Sequence, residues 1–262
     1  MCGKSVEGAW AGLEMRMQNL TSQKKFQRGI SVGCGSASKE LRLLQKGIVE
    51  HFDLFEISST RIEQGIVAAK KMGLSHRIKF HLQNAFDHKP ETTYELVYWN
   101  NSLHHMPNAK QAILWSRDLL SSGGYFVMDD FVGPSRFQWS DKQLEIAHRV
   151  RRMLPDRFLV DPNNQNARLP ITIKRPSIHK MMESDPSEAA DSDNIIPSLT
   201  DIFPNIEIIL TGGVVYHLAL NNVFANFQDE KDFCLLHELL ELDESLAKNG
   251  ETNYACAFAQ EL

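Results

Sequence analysis

Ile30-Ser31-Val32-Gly33-Cys34-Gly35-Ser36-Ala37-Ser38 joins a short β-rich run to a run of helical character, with two glycines at the joint. Such a turn needs glycine because a Cβ would obstruct both the required torsions and the close approach of a ligand. Amides that open the following helix then face that ligand. Two glycines alone identify no ligand. Glu56, 21 residues beyond Gly35 at the end of the next β-rich run, adds a carboxylate able to accept both hydroxyl hydrogens of a ribose. The plainer alternative is a surface glutamate at a strand end.

Outward from this joint the chain keeps an α/β rhythm. Gly29–Val32, Glu50–Glu56, Arg77–Leu82, Glu95–Trp99 and Gly124–Asp129 are short runs rich in β-branched and aromatic residues and predict strands, joined later by Ile206–Leu210 and Tyr254–Gln260. Between them, Ser38–Leu44 predicts a helix, Thr60-Arg61-Ile62-Glu63 has the form of a capping box for a helix ending at Gly73, and a helix from Asn108 runs to Gly123. This repetition predicts an α/β fold, a Rossmann-like doubly wound sheet of seven strands. Residues 134–200 break the rhythm and read as an inserted helical cap, with helices over Asp141–Leu154 and Ile178–Met182 and an acidic run over residues 184–193. The reading therefore divides the chain into an N-terminal lid helix over 1–27, a core over 28–133, a substrate cap over 134–200, and completion of the core over 201–262. The lid rests on an imperfect apolar stripe in residues 5–20, which equally suits a plain packing helix. In the last segment a helical stretch spans Val214–Phe227 and a leucine-rich amphipathic helix ends at Gly250.

Composition bounds the partners. The 262 residues carry a formal net charge of −5 and 42% hydrophobic residues. That supplies one large core and a charge balance unsuited to broad contact with phosphates. Cys2, Cys34, Cys234 and Cys256 form no Cys-x-x-Cys pair, so neither a zinc site nor a disulfide framework is expected. Residues 1–20 lack the uninterrupted apolar run of a signal peptide or membrane span. The expectation is a soluble cytoplasmic protein with no nucleic-acid partner, no membrane span and no metal, a homodimer being the assembly considered.

A nicotinamide cofactor presents the same ribose to Glu56, but the third glycine of the dinucleotide pattern falls at position 38, which is Ser38. Asn84-Ala85-Phe86, after the third strand, places an amide and an aromatic ring at the carboxyl edge, suited to an adenine edge and face; Asn84 equally suits a helix cap. The segments 30–36, Phe55-Glu56-Ile57-Ser58, Gln83-Asn84-Ala85-Phe86 and Leu96-Val97-Tyr98-Trp99-Asn100-Asn101-Ser102-Leu103-His104-His105 follow one another in order. Together they resemble the small-molecule branch of the class I S-adenosylmethionine-dependent methyltransferases, whose sheet carries an antiparallel last strand. The resemblance implies S-adenosylmethionine as cofactor and S-adenosylhomocysteine as product. It implies that Gly33, Cys34 and Gly35 meet the methionine portion, Glu56 with Ile57 the ribose, Asn84, Ala85 and Phe86 the adenine, and Asn100 with Asn101 the methionyl end. Asn84 departs from the Asp common in that family. The tail, with Gly133-Pro134-Ser135-Arg136-Phe137-Gln138-Trp139, Arg175-Pro176-Ser177, Asp185-Pro186-Ser187-Glu188 and Gly212-Gly213, is similar to bacterial relatives associated with surface-glycan assembly.

Transfer of a methyl group from a sulfonium is an in-line displacement that rests on orientation and exclusion of water. A hydroxyl nucleophile must also lose its proton, and histidine is the side chain best poised for that near neutral pH. His105 and His104, just past the fourth strand, are the first candidates, with Asp130 beside Asp129 after the fifth strand and His217 further on as competitors. A histidine of the pair equally serves to shape the turn before Pro107. The adjacent aspartates raise a metal-assisted reading, for which the spacing offers no third ligand. Arg136 and Trp139 offer a guanidinium fork and an aromatic platform for a polar acceptor, with Tyr216 and His217 as further acceptor-binding candidates, and Arg168, Arg175 and His179 unranked behind them. The expected activity is methylation of a hydroxyl on a small molecule or glycan. The alternatives are N-methylation of a small amine and, from another class, a non-catalytic cofactor- or partner-binding module. A DNA amino-methyltransferase is disfavoured because Asn100-Asn101-Ser102-Leu103 lacks its Asn/Asp-Pro-Pro-aromatic pattern.

Overall fold

The structure, a computed structural model, describes residues 10–21, 25–90 and 92–262. In order the chain forms α1 (Ala11–Leu20), β1 (Phe26–Val32), α2 (Ser38–Gln45), β2 (Val49–Glu56), α3 (Ser59–Lys71), β3 (Ile78–Leu82), β4 (Tyr94–Asn100), α4 (Ala109–Asp118) and β5 (Leu120–Phe131). There follow α5 (Asp141–Met153), β6 (Val160–Asp161), β7 (Asn164–Arg168), α6 (Ile178–Ser184), α7 (Ile195–Ile202), β8 (Glu207–Gly212), α8 (Glu230–Lys248) and β9 (Tyr254–Gln260). Residues 5–9 of the expected lid segment lie outside the described residues. Two compact units result: Met1–Asp130 with Asn194–Ile209 and Cys256–Leu262, and Phe131–Asp193 with Leu210–Ala255.

The seven-stranded sheet has the order β3-β2-β1-β4-β5-β9-β8. The pairs β1–β2, β2–β3, β1–β4 and β4–β5 are parallel. Gly123 N donates to Glu261 O and Glu261 N to Gly124 O, both at 2.9 Å, the reciprocal bonding of an antiparallel pair, so the last strand reverses as the resemblance implied. Strand order turns around β1, which places the crevice between the carboxyl ends of β1 and β4. Buried on both faces, the central strands read as near-continuous apolar runs, with Phe52, Leu54 and Phe55 on β2 and Leu96, Val97 and Trp99 on β4 almost fully covered. Leu41 and Leu44 of α2 and Leu13 and Met17 of α1 close one hydrophobic core with Phe52, Leu54 and Leu96. Buried Glu14 of α1 takes Lys46 at 2.8 Å and the Arg42 guanidinium of α2.

Three local expectations are corrected. The cap of α3 is Ser58, whose hydroxyl accepts from Arg61 N, and not Thr60; the carboxylate of Glu56 already holds the Ile57 and Ser58 amides, which starts the helix two residues early. The helix opened by Asn108 ends at Asp118 because Leu120 already pairs with Tyr94, so Gly123, at φ +77°, is a kink within β5 and not a helix stop. The stretch 214–227 is not one helix: a π-helical turn covers Val214–Ala219 and a short 3-10 turn Phe224–Asn226.

In the second unit, α5 and α6 fall where expected, capped by Ser140 and Ser177, and the intervening chain carries an unanticipated antiparallel hairpin, β6–β7. Its core joins Trp139, Leu144, Val150, Phe158, Leu218, Val223 and Leu239. Buried Arg151 donates from each of its three nitrogens to a carbonyl oxygen, of Ala219 at 2.7 Å, Pro170 at 2.5 Å and Asn221 at 2.9 Å, which offsets the cost of burying the cation. Asp243 of α8 accepts from the amides of Gly213, Val215 and Tyr216 at 2.7, 2.8 and 3.0 Å, supplying the N-terminal partners of the π-helical turn.

Candidate functional site

The glycine turn sits at the carboxyl end of β1 in the left-handed region, with φ +64° at Gly33 and +57° at Gly35. Phe55 O accepts from Gly33 N at 2.9 Å, tying the turn to β2. A Cβ on Gly33 would lie 2.9 Å from Ser102 Cβ, whereas one on Gly35 would meet nothing nearer than the Arg61 side chain at 3.9 Å. Gly35 thus faces an open cradle that a side chain would fill. Ala37 also takes a left-handed backbone, φ +58°, and its position as the residue before α2 makes the turn Gly-x-Gly-x-Ala.

Glu56 ends β2 directly beside the cradle. One carboxylate oxygen accepts from Gly35 N at 2.8 Å, the other from Ile57 N at 2.8 Å and Ser58 N at 2.9 Å. Three amides therefore fix the carboxylate, and a lone pair of the oxygen bonded to Gly35 N is left for a ribose hydroxyl. Ile57 is 79% exposed, an apolar side chain left open beside that anion. Asn84 Oδ1 accepts from Phe86 N at 3.1 Å, so the capping reading of Asn84 holds for the short turn Ala85–Asp87, and its Nδ2 stays on the exposed side chain. Ala85 is buried and Phe86 is partly exposed with its ring edge against Trp115 at 5.0 Å.

Asn100 ends β4 buried, its amide donating to Tyr98 Oη at 2.7 Å, and Asn101 Nδ2 donates to Asn100 Oδ1 at 3.3 Å. Lys39, in the first turn of α2, donates to Asn100 O at 3.1 Å; burial lowers its affinity for the proton while Glu40, Asp129 and Asp130 nearby act the other way. Burial raises the Asp129 carboxyl, to which Cys256 Sγ donates at 3.4 Å, and also pushes the Cys34 thiol far above its usual range.

Asp130 is fully buried. One oxygen accepts from Ser102 N at 2.8 Å and Leu103 N at 2.7 Å, and the other lies 2.5 Å from His104 Nδ1. Were the Asp130 carboxyl ionised it would only accept, which would put the proton of His104 on Nδ1 and its basic lone pair on Nε2. His105 is partly exposed and its ring centre lies 4.2 Å from that of His104. Of the three proton-transfer candidates, the structure thus joins His104 and Asp130 as an oriented pair, with His105 against it.

The acceptor-binding candidates lie in the second unit. Arg136, at φ +55°, donates from its guanidinium to Glu188 O at 2.9 Å and from its backbone to Ala189 O at 2.7 Å, so part of its fork is committed to the 184–193 segment. Trp139 is buried, stacked on Phe137 at 5.5 Å, and its indole N–H has no hydrogen-bond partner among the described residues. His217 is ringed by Phe131, Phe137, Trp139 and Tyr254 at centroid distances of 5.6, 5.7, 6.3 and 5.3 Å. Tyr216 is half exposed and meets Tyr254 and Phe224 edge-on. Arg175 donates to Trp139 O at 2.6 Å, a local brace. Sequence reasoning did not single out Lys39, Glu40 or Ser102; their place in the first helical turn after the glycines, or two residues past Asn100, was the available signal.

A doubly wound sheet with the reversed last strand, a glycine turn after β1 and a glutamate at the end of β2 bonded to that turn fit the class I S-adenosylmethionine-dependent methyltransferase fold. The chain belongs to the methyltransferase domain family, which matches residues 24–189, more than half of it. Among curated relatives, 27-O-demethylrifamycin SV methyltransferase of Amycolatopsis mediterranei (strain S699) is 25% identical over 129 residues, 49% of this chain and 47% of the relative. The chain spans about half the length of the curated relatives it matches. Among solved structures, geranyl diphosphate methyltransferase in complex with GPP and sinefungin aligns with a TM-score of 0.57 at 11% identity, covering 96% of this chain and 78% of that one. The cyclase SpnF aligns with a TM-score of 0.53 at 16% identity, covering 99% and 85%. At these identities the likeness is one of fold, and the same fold serves a cyclase, so the chemistry has to be argued from the site.

Proposed function

We propose that this protein transfers the methyl group of S-adenosylmethionine to a hydroxyl of a small molecule or glycan and releases S-adenosylhomocysteine. The observation that carries the proposal is the oriented His104–Asp130 pair, which begins two residues past the serine that packs against Gly33. It supports a base at the edge of the sheet that also carries the glycine turn and Glu56.

The residues at that edge fit the cofactor. Gly35 leaves the space, Glu56 offers an anion for ribose hydroxyls, Ile57 and Phe86 offer apolar surface for the adenine, and Asn84 offers an amide for its edge. Bound there, S-adenosylmethionine supplies an electrophilic methyl group. Asp130 holds His104 in the tautomer whose Nε2 is basic and offsets the charge that the ring gains with a proton. With Nε2 as acceptor, the hydroxyl proton leaves as its oxygen attacks, and no free alkoxide has to form. Asp130 acts through His104 and is a positioning residue. Arg136, Trp139, Tyr216 and His217 are assigned to recognition of the acceptor, and the segment over 134–200 to covering it.

Two measurements test the proposal. Calorimetry with S-adenosylhomocysteine and with NAD should show binding of the first alone; binding of NAD alone would overturn the cofactor assignment. Transfer of labelled methyl to a panel of alcohols, phenols, sugars and amines should label an oxygen acceptor. His104→Gln should lower turnover about a hundredfold, within the usual span of a general base, with cofactor affinity unchanged. Labelling of amines alone would replace the acceptor class, and labelling of nothing would favour a binding module.

A further inference from the structure

Residues 83–93 join β3 to β4, and their regular structure among the described residues is the 3-10 turn Ala85–Asp87 alone. The strand order β3-β2-β1-β4 obliges this segment to cross β2 and β1, a crossover that parallel strands usually make with an α-helix. In place of a helix face, titratable side chains meet there: Arg28 of β1, Asp53 of β2, His81 of β3, Tyr94 of β4 and, from the segment itself, His88. The His81 ring lies flat on buried Phe55, centroids 4.4 Å apart, with its Nε2 2.8 Å from Asp53 Oδ1. Half-buried His88 packs against both rings, 4.9 Å from Phe55 and 5.4 Å from His81, and its Nε2 lies 3.4 Å from Tyr94 Oη.

Asp53 is already saturated. Its Oδ1 serves His81, and its Oδ2 accepts from Arg28 Nη2 at 2.7 Å, Arg28 Nε at 3.1 Å and Tyr94 Oη at 3.1 Å, which fills the roughly four lone-pair positions of a carboxylate. The other charges that bear on His88 are those of Arg28, Lys79 and, when protonated, His81, all positive. Its chain neighbours Asp87 and Lys89 are exposed and of opposite sign. Burial, and after it His81, lowers the affinity of His88 for a proton below the usual 6.5; Arg28 and Lys79 act the same way and Asp53 against them. A neutral ring suits the closed cluster, whereas a charged one sits among cations with the facing anion taken.

We propose that His88 is a pH-sensitive latch, which when neutral holds the 83–93 crossover on the sheet and when protonated releases it. The closed form takes the proton less readily than the open one, so the latch is at full strength above about pH 6.5 and weakens as pH falls below that value. The same crossover carries Asn84, Ala85 and Phe86, so its release loosens the adenine side of the site. That consequence rests on the cofactor assignment made above.

NMR of the His88 ring and amide hydrogen exchange, both on the ligand-free protein between pH 5 and pH 8, test the latch. The ring should titrate with a midpoint below 6.5. Protection factors of the Phe86, Asp87 and His88 amides, which bond to Asn84 and Ala85, should fall about fivefold or more towards the acid end. His88→Gln keeps a donor for Tyr94, His88→Phe keeps a ring against Phe55, and neither takes a proton, so protection should stay constant in both. A midpoint at or above 6.5, constant protection in the native protein, or an equal fall in the variants would overturn the proposal, and the native midpoint decides even where a variant does not fold. By calorimetry, native affinity for S-adenosylhomocysteine should fall about fivefold from pH 7.5 to pH 5.5, and less in His88→Gln. Equal pH dependence in the two proteins would overturn the control of the site by the latch. A protein that binds no S-adenosylhomocysteine at any pH while acid still releases its crossover would sink the cofactor assignment and leave the latch standing.

Discussion

Gly33 and Gly35 share one turn and one backbone region, yet an added methyl group meets different surroundings at each. At Gly33 it collides with Ser102 Cβ at 2.9 Å in addition to the left-handed strain, and at Gly35 it enters open space. Left-handed strain alone costs about 1–2 kcal/mol for alanine. Gly33→Ala should therefore lose about 2–3 kcal/mol of stability once the clash is added, and Gly35→Ala only about 1 kcal/mol. Affinity for S-adenosylhomocysteine should fall sharply in Gly35→Ala, because its methyl group occupies the cradle. Urea denaturation and calorimetry on the two variants check this pairing, and a Gly35→Ala variant with native affinity would mean that the ligand lies elsewhere.

At the scale of the element, the glutamate and glycines were legible because they are sequence-local: strand, tight turn and helix onset follow in a few residues, and Glu56 marks the next strand end. The His104–Asp130 pair was legible only as candidates. His104, His105 and Asp130 are separated by up to 26 residues, and which histidine meets the aspartate depends on the pairing of β4 with β5, including Asn100 opposite Asp129. Element boundaries were misjudged where a tertiary hydrogen bond outbid a local signal, as at Thr60, where Glu56 starts the helix early, and at Gly123, where pairing with Glu261 makes a strand of an apparent helix stop. Asp243 is a third such case, since α8 supplies the partners for a turn 27–30 residues earlier in the chain. Asp243→Ala leaves three amides unpaired and should cost about 3 kcal/mol or more. Asp243→Asn, keeping one acceptor, should cost less, and equal urea midpoints for both variants and the native protein would contradict the assignment.

Over the whole molecule, two buried carboxyl groups of the first unit set opposite pH trends. Glu40 of α2 accepts from Ser31 Oγ at 2.7 Å while its other oxygen has no partner among the described residues, and burial pushes its carboxyl above the usual 4.5, against Lys39 beside it. The folded state therefore keeps the proton when the unfolded chain has released it. The stability that this group contributes is full below about pH 4.5 and is lost as pH rises through the folded value. Asp53 is opposite in sign. Burial acts to raise its carboxyl, but hydrogen bonds from His81, Arg28 and Tyr94 outweigh that and hold it below the usual 3.8, so its contribution is present above that value and is lost as pH falls through the folded one. Glu40→Gln removes only the first trend. Its melting temperature relative to the native protein should rise between pH 5 and pH 8, and a difference constant across that range would refute the buried protonated carboxyl.

Alternation of β-rich and helical runs, with glycines between the first strand and helix, was sufficient by itself to determine the doubly wound class, because backbone propensity and periodicity act over a few neighbouring residues. The same local grammar put the glycine turn and Glu56 at one edge, since neighbouring parallel strands end on the same side. Only the tertiary structure decided that Asp130 faces His104, that Ser102 lies against Gly33, and that Trp139 is buried while Tyr216 is half exposed. Those relations join residues far apart in the chain, and their energies depend on burial and on which donors remain unsatisfied after packing, quantities that no short window of sequence contains.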